Sequence, residues 1–184
     1  DLPAVRNLRE SYEQTSKEKR EPFKDVSAVR LNQTFFAAEE VGGKARELGE
    51  ALVLKEAGNV AYLSSDYAKA RARYEQSMAL YLETGDRWGV GVALDNLGNV
   101  AYEQGDYAAA RTLHEQSLAL ARQIGDRVGV AGTLDNLGNV AYEQGDYAAA
   151  RTLYEQSLAP RREIGDQQGT ANSLNNLGPV AYVQ

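Results

Sequence analysis

The polar side chains best suited to recognising another molecule stand in a periodic ladder. Asp95, Asn99 and Glu103 are four residues apart, and the same set returns forty residues later as Asp135, Asn139 and Glu143. Residues at i, i+4 and i+8 share one ridge of a helix. Each triad would therefore present a carboxylate, a carboxamide and a second carboxylate in line. A carboxamide both donates and accepts, which suits a peptide backbone, and carboxylates favour Lys or Arg on the ligand. The plainer alternative is that these are solvated charges and locally bonded amides. Material for catalysis is thin. His114 is the only histidine, and it occupies the position of Tyr74 and Tyr154, so it reads as a packing residue. There is no cysteine, which excludes disulfides and thiolate metal sites. Acidic residues recur in every repeat, so no pair is singled out, and Gly42-Gly43 lacks the Lys-Ser/Thr that follows in a phosphate loop. The expectation is a chain that is not an enzyme and carries no metal or cofactor.

The elements that position these residues follow from self-similarity. Gly58-Asn59-Val60-Ala61-Tyr62 recurs as 98–102, 138–142 and, with Pro179 in place of Asn, 178–182. Residues 95–120 and 135–160 differ at only two places, His114/Tyr154 and Leu120/Pro160. Gly-Asp punctuates each unit twice, at 105–106 and 145–146 inside repeats and at 85–86, 125–126 and 165–166 between them. Glycine suits the left-handed closing position of a helix, and aspartate caps the start of the next. Ser65-Asp66 takes that role in the first unit without the glycine. The second repeat thus reads as helix A over 87–103 and helix B over 107–124. Val90, Leu94, Leu97 and Ala101 form the apolar stripe of helix A. Tyr107, Ala110, Leu113, His114, Ser117 and Leu118 on helix B face inward or toward the neighbouring unit. Gly98 lies where a side chain would hold the two helices apart. One such hairpin cannot bury its own apolar face, so units must stack.

These residues carry a resemblance. Leu97-Gly98, Tyr107, Ala110, His114 (Tyr154 in the next unit) and Ser117 match the Leu-Gly, Tyr, Ala, aromatic and small positions of a tetratricopeptide repeat. That motif usually repeats near every 34 residues. The 40-residue step is similar to the longer variety in Pins-like adaptors, kinesin light chains and bacterial signalling ATPases. The resemblance implies an all-α, right-handed solenoid of antiparallel helix pairs. Repeats would cover about 47–86, 87–126 and 127–166, with a lone helix A over 167–184. It also implies a concave groove, lined by A helices, that binds a protein or peptide. Carried over position by position, the lining includes Asn59 and Tyr62; Val92, Asp95, Asn99, Tyr102 and Glu103; Asp135, Asn139, Tyr142 and Glu143; and Asn172 and Asn175. Trp88, the only tryptophan, stands seven residues before Asp95. It is either an anchor at the rim of that face or a packing residue between units.

Charge and composition set further bounds. The chain carries 20 Lys+Arg against 26 Asp+Glu, for a net charge of −6, which argues against a nucleic-acid partner. No apolar run approaches the roughly 18 residues of a membrane span, so no membrane association is expected and the expected location is cytoplasmic. The chain starts at Asp1 and stops in mid-repeat, so a piece of a longer protein is expected. Residues 1–43 match no repeat. They read as a degenerate preceding repeat or a helical cap shielding Leu52, Leu54 and Tyr62, or as a segment that swaps onto a neighbour or fills the chain's own groove. Pro160 falls within a helix B. Pro179 falls inside the last helix A, where an interior proline costs roughly 3 kcal/mol, so a kink or fraying is expected there. The functional expectation is a protein-binding scaffold whose ligand contains Lys or Arg. Its alternatives are a self-associating array and the sensor array of a larger signalling ATPase.

Overall fold

The structure, a computed structural model, describes residues 43–182, and the expectations for 1–42 lie outside them. Among the described residues it is wholly helical. The elements are α1 (Lys44–Leu63), α2 (Tyr67–Thr84), α3 (Arg87–Glu103), α4 (Tyr107–Ile124), α5 (Arg127–Glu143), α6 (Tyr147–Ile164) and α7 (Gln167–Tyr182). The helices α3 and α4 have the bounds that the Gly-Asp punctuation predicts. The first helix begins at Lys44, earlier than the repeat boundary placed at 47.

The punctuation works as its chemistry requires. The Asp66, Asp106, Asp126 and Asp146 carboxylates accept from the backbone N–H three residues on, at 2.9–3.1 Å. Asp166 does the same from Gly169 at 2.8 Å. Each satisfies an amide that the new helix leaves open. The preceding Gly85, Gly125 and Gly165 close their helices with φ of 71–74°. Ser65 takes φ 58° in the one position where glycine is missing, a conformation that a side chain disfavours by about 1 kcal/mol or more.

Two compact units result, one ending at Asp86 and the other starting at Arg87. In the first, α1 and α2 pair as an antiparallel hairpin. In the second, α3 pairs with α4 and α5 with α6, while α4 stacks on α5, α6 on α7, and each A helix touches the next. Helix α5 is therefore enclosed on several sides. Besides Leu134, Leu137 and Ala141, it buries Ala131, Thr133, Asp135, Gly138 and Val140. Ala141, Ala150, Tyr154 and Val180 form one core cluster, and Leu118, Leu134 and Leu137 another. The hairpins close tightly at glycine: a Cβ on Gly98 would stand 2.6 Å from Cε1 of His114. Gly58 and Gly138 face Tyr74 and Tyr154 in the same way.

Both interior prolines sit inside continuous helices. The helix α6 runs through Pro160 to Ile164, and α7 runs through Pro179 to Tyr182. The fraying expected at Pro179 does not end the helix there. The proline lies close to the C-terminal end of α7, so few turns depend on the hydrogen bond it removes.

Candidate partner-binding face

The A-helix residues singled out by sequence divide into two groups by their hydrogen bonds. Asp95 and Asp135 are joined to the next repeat. Asp95 accepts from Thr133 Oγ1 at 3.2 Å and from Asn136 Nδ2 at 3.1 Å, both on α5. It also receives His114 Nδ1 from its own hairpin partner at 2.9 Å. A carboxylate only accepts, so the imidazole carries its proton on Nδ1. Asp135 is 8% exposed. It accepts from Ser173 on α7 at 3.0 Å and from Arg161 Nη2 on α6 at 2.5 Å. Thr133 and Ser173 lie 38 residues beyond the aspartates they serve. Ser117 and Ser157 on the intervening B helices meet the same hydroxyls, at 3.5 Å and 2.8 Å. These carboxylates thus work as inter-repeat ties.

The asparagines are held differently. The Tyr74 hydroxyl donates to Asn59 Oδ1, and the Tyr154 hydroxyl to Asn139 Oδ1, each at 2.8 Å. Burial pushes both phenols far above the ordinary tyrosine range, which keeps them protonated and donating. Asn99 has His114 in the corresponding place, and its carboxamide makes no hydrogen bond among the described residues. Asn172 and Asn175 are exposed on α7, where Asn172 accepts from Gln168 Nε2 at 3.3 Å.

The tyrosines form ring pairs at the hairpin ends. Tyr62 packs on Tyr67, Tyr102 on Tyr107 and Tyr142 on Tyr147, with centroids 5.2–5.8 Å apart at steep angles. The Tyr102 hydroxyl stands 3.5 Å from the exposed carboxylate of Glu143, one repeat on. Desolvation, followed by the nearby Glu143 charge, pushes the Tyr102 phenol up to about 12. Glu103 is exposed and Val92 half-buried. Trp88 is 49% exposed, so close packing does not absorb it.

In the second unit the face therefore brings together Asn99, Tyr102, Glu103 and Glu143 as accessible polar groups on adjacent helices, and it engages Asp95, Asp135 and Asn139 internally. Thr133, Asn136, Arg161 and Ser173 escaped the sequence reading. The substitution of Ala93 by Thr133 and Ser173 at one repeat position was the available signal. Among the described residues no three His, Asp or Glu side chains converge as a metal ion would require, and no helix is long and apolar enough to cross a membrane.

Known proteins place this architecture. The chain is similar to the N-terminal domain of stress-induced protein-1 (STI-1) from C. elegans, with 21% identity and a TM-score of 0.55, covering 71% of this chain and 96% of that one. It is also similar to BtubC (BKLC) from P. vanneervenii, with 17% identity and a TM-score of 0.68, covering 97% of this chain and 81% of that one. Identities this low establish the fold alone. No curated protein matches the sequence. The tetratricopeptide repeat family model matches residues 49–123, 89–163 and 129–182, and with helix pairs of this geometry repeating through those spans, the chain belongs to the tetratricopeptide repeat family.

Proposed function

We propose that the chain binds an extended segment of a partner protein along its A-helix face, with Lys or Arg on the ligand opposite Glu103 and Glu143. Membership of the family supports a protein–protein interaction scaffold in general terms. The observation that carries the finer reading is the accessible row of Asn99, Tyr102, Glu103 and Glu143 on α3 and α5. From 87 to 182 there are seven Arg, no Lys and eleven Asp or Glu, so the unit as a whole attracts cationic segments. Asp95 and Asp135, tied between repeats, contribute negative potential rather than direct contacts. Trp88 is the exposed aromatic that would anchor a ligand at the start of α3.

The test is a double variant, Asn99→Ala with Glu143→Gln, assayed by fluorescence anisotropy against basic peptides selected on the unaltered chain. Binding should fall at least tenfold with the helical circular dichroism unchanged. Full retention of binding sinks the assignment of this face.

A further inference from the structure

The hairpins of the second unit carry opposite charge at their two ends. At the closed end, where an A helix turns into its B helix, residues 99–110 and 139–150 hold Glu103, Asp106, Glu143 and Asp146 and no Lys or Arg. The open end is where each A helix starts beside the end of its B helix. Arg87 on α3 donates to Gln123 near the end of α4, and Arg127 on α5 pairs with Glu163 near the end of α6. Of the seven Arg between 87 and 182, five stand at this end: Arg87, Arg122, Arg127, Arg161 and Arg162. The carboxylates there are Glu163 and the helix caps Asp126 and Asp166. Arg161 is taken up by Asp135 and Asp166. Arg122 and Arg162 are exposed in the last turns of α4 and α6, and their side chains make no hydrogen bond or ion pair among the described residues. A cation suits the end of a helix, but Leu82 fills the same position in α2, so the fold does not require one.

Apolar surface collects at the same end. The large apolar side chains exposed in the second unit, among the described residues, are Trp88, Val128, Ile164 and Leu174, and the first three stand here. A single exposed apolar residue is ordinary. Three of them among arginines have the composition that protein interfaces concentrate. The open ends of the two hairpins are continuous, because α4 stacks on α5 and Gly125-Asp126 joins them.

We propose that the open end of the second unit is a second docking surface, for an acidic segment of a partner protein that carries a bulky apolar residue. Arg122 and Arg162 take carboxylates of the segment, which the planar guanidinium can hold through two hydrogen bonds each. Val128 and Ile164, on the helix ends that the Arg127–Glu163 pair joins, receive the apolar residue. The ligand charge is the reverse of that proposed for the A-helix face, and this surface does not depend on that reading.

The probe is a fluorescein-labelled peptide of alternating Glu and Ser with a central Phe, followed by anisotropy on the whole chain. Trp88 emission is a second readout, since a ligand that covers its half-exposed indole moves the emission to shorter wavelength. Binding should saturate and weaken as salt is raised. Arg122→Gln with Arg162→Gln should weaken it about tenfold or more, with the helical circular dichroism unchanged. Replacing the Phe of the probe by Ser should cost about tenfold. Asn99→Ala with Glu143→Gln should leave binding within about twofold. Failure to saturate below about 1 mM, or equal binding of a probe with Lys in place of Glu, overturns the proposal. So does a loss in Asn99→Ala with Glu143→Gln that matches the loss in the arginine variant, because the acidic probe then sits on the A-helix face. Light scattering on the chain alone covers the remaining occupant. Self-association that Arg122→Gln with Arg162→Gln abolishes would assign this end to the acidic end of a second copy and overturn its assignment to a foreign segment.

Discussion

Arg161 on α6 donates to Asp135 on α5 at 2.5 Å, and both side chains are almost buried, at 13% and 11% exposed. The same guanidinium reaches Asp166, the cap of α7, at 2.5 Å. One cation thus joins two helices to the start of a third. The corresponding residues of the earlier B helices are Tyr81 and Ala121, so this tie belongs to the third repeat alone. Removing one partner of a buried pair leaves the other uncompensated. Arg161→Ala should cost about 3 kcal/mol, read as a lower urea midpoint, although Ala already serves at position 121. A loss within about 0.5 kcal/mol, the range of an ordinary surface change, would show that water replaces the guanidinium.

The helical glycines make a paired test. Gly138 lies against the Tyr154 ring, so Gly138→Ala should push α5 and α6 apart and cost about 1–3 kcal/mol. Gly132 on the same helix has open space where its Cβ would stand. Gly132→Ala should therefore stabilise by up to about 1 kcal/mol through helix propensity. Thermal unfolding of the two variants should move in opposite directions, and equal shifts would contradict the close approach at Gly138.

Two buried tyrosines separate a satisfied hydroxyl from an orphan. Tyr154 donates to Asn139, whereas the Tyr81 hydroxyl is buried and makes no hydrogen bond of good geometry among the described residues. Tyr154→Phe should cost about 1 kcal/mol, and Tyr81→Phe should be neutral or stabilising by a similar amount. Denaturant midpoints decide the matter, and a larger loss for Tyr81→Phe would mean that its hydroxyl has a partner after all.

Alkali should unfold the chain steeply. Burial, the leading cause in each, pushes Tyr74 and Tyr154 well above the ordinary 10.0 and Tyr81 up to about 12. The unfolded chain releases these protons near pH 10 and the folded chain holds them. Stability is therefore fully present below pH 10 and declines as pH rises toward the folded values. Each buried tyrosine contributes a slope of about 1.4 kcal/mol per pH unit in that window. Phenolate absorbance followed alongside helical circular dichroism checks this. The buried tyrosines should ionise together with loss of helix, and ionisation of all eleven tyrosines with the helices intact would refute it.

Acidic pH probes the opposite sign at Asp166. The Gly169 backbone N–H, and then Arg161, hold its carboxyl below the usual range. Its contribution is present above the unfolded pKa and is lost as pH falls through the folded one. Asp166→Asn, which can still cap the helix, should flatten that part of the acid unfolding curve, and an unchanged curve would remove Asp166 from the acid response.

The sequence by itself determined the local grammar. Gly-Asp punctuation fixed where α3 and α4 begin and end, because capping and left-handed closure involve residues within one turn. The 40-residue repetition fixed the pairing of helices, because a lone hairpin cannot bury its apolar stripe. It also identified His114 as a packing residue, from its tyrosine counterparts. Tertiary structure alone decided which polar residues remain accessible. Asp95 and Asp135 looked like members of an exposed ridge, yet their partners at 133, 136 and 173 are reached only when successive repeats stack, and Arg161 only when α6 folds back on α5. The 3.6-residue helical period describes one helix surface and is silent about what the next repeat lays against it. Likewise, Asn59, Asn99 and Asn139 are one residue in the sequence pattern. The reach of a phenol hydroxyl, present in two slots and absent in the third, makes Asn99 different from the other two.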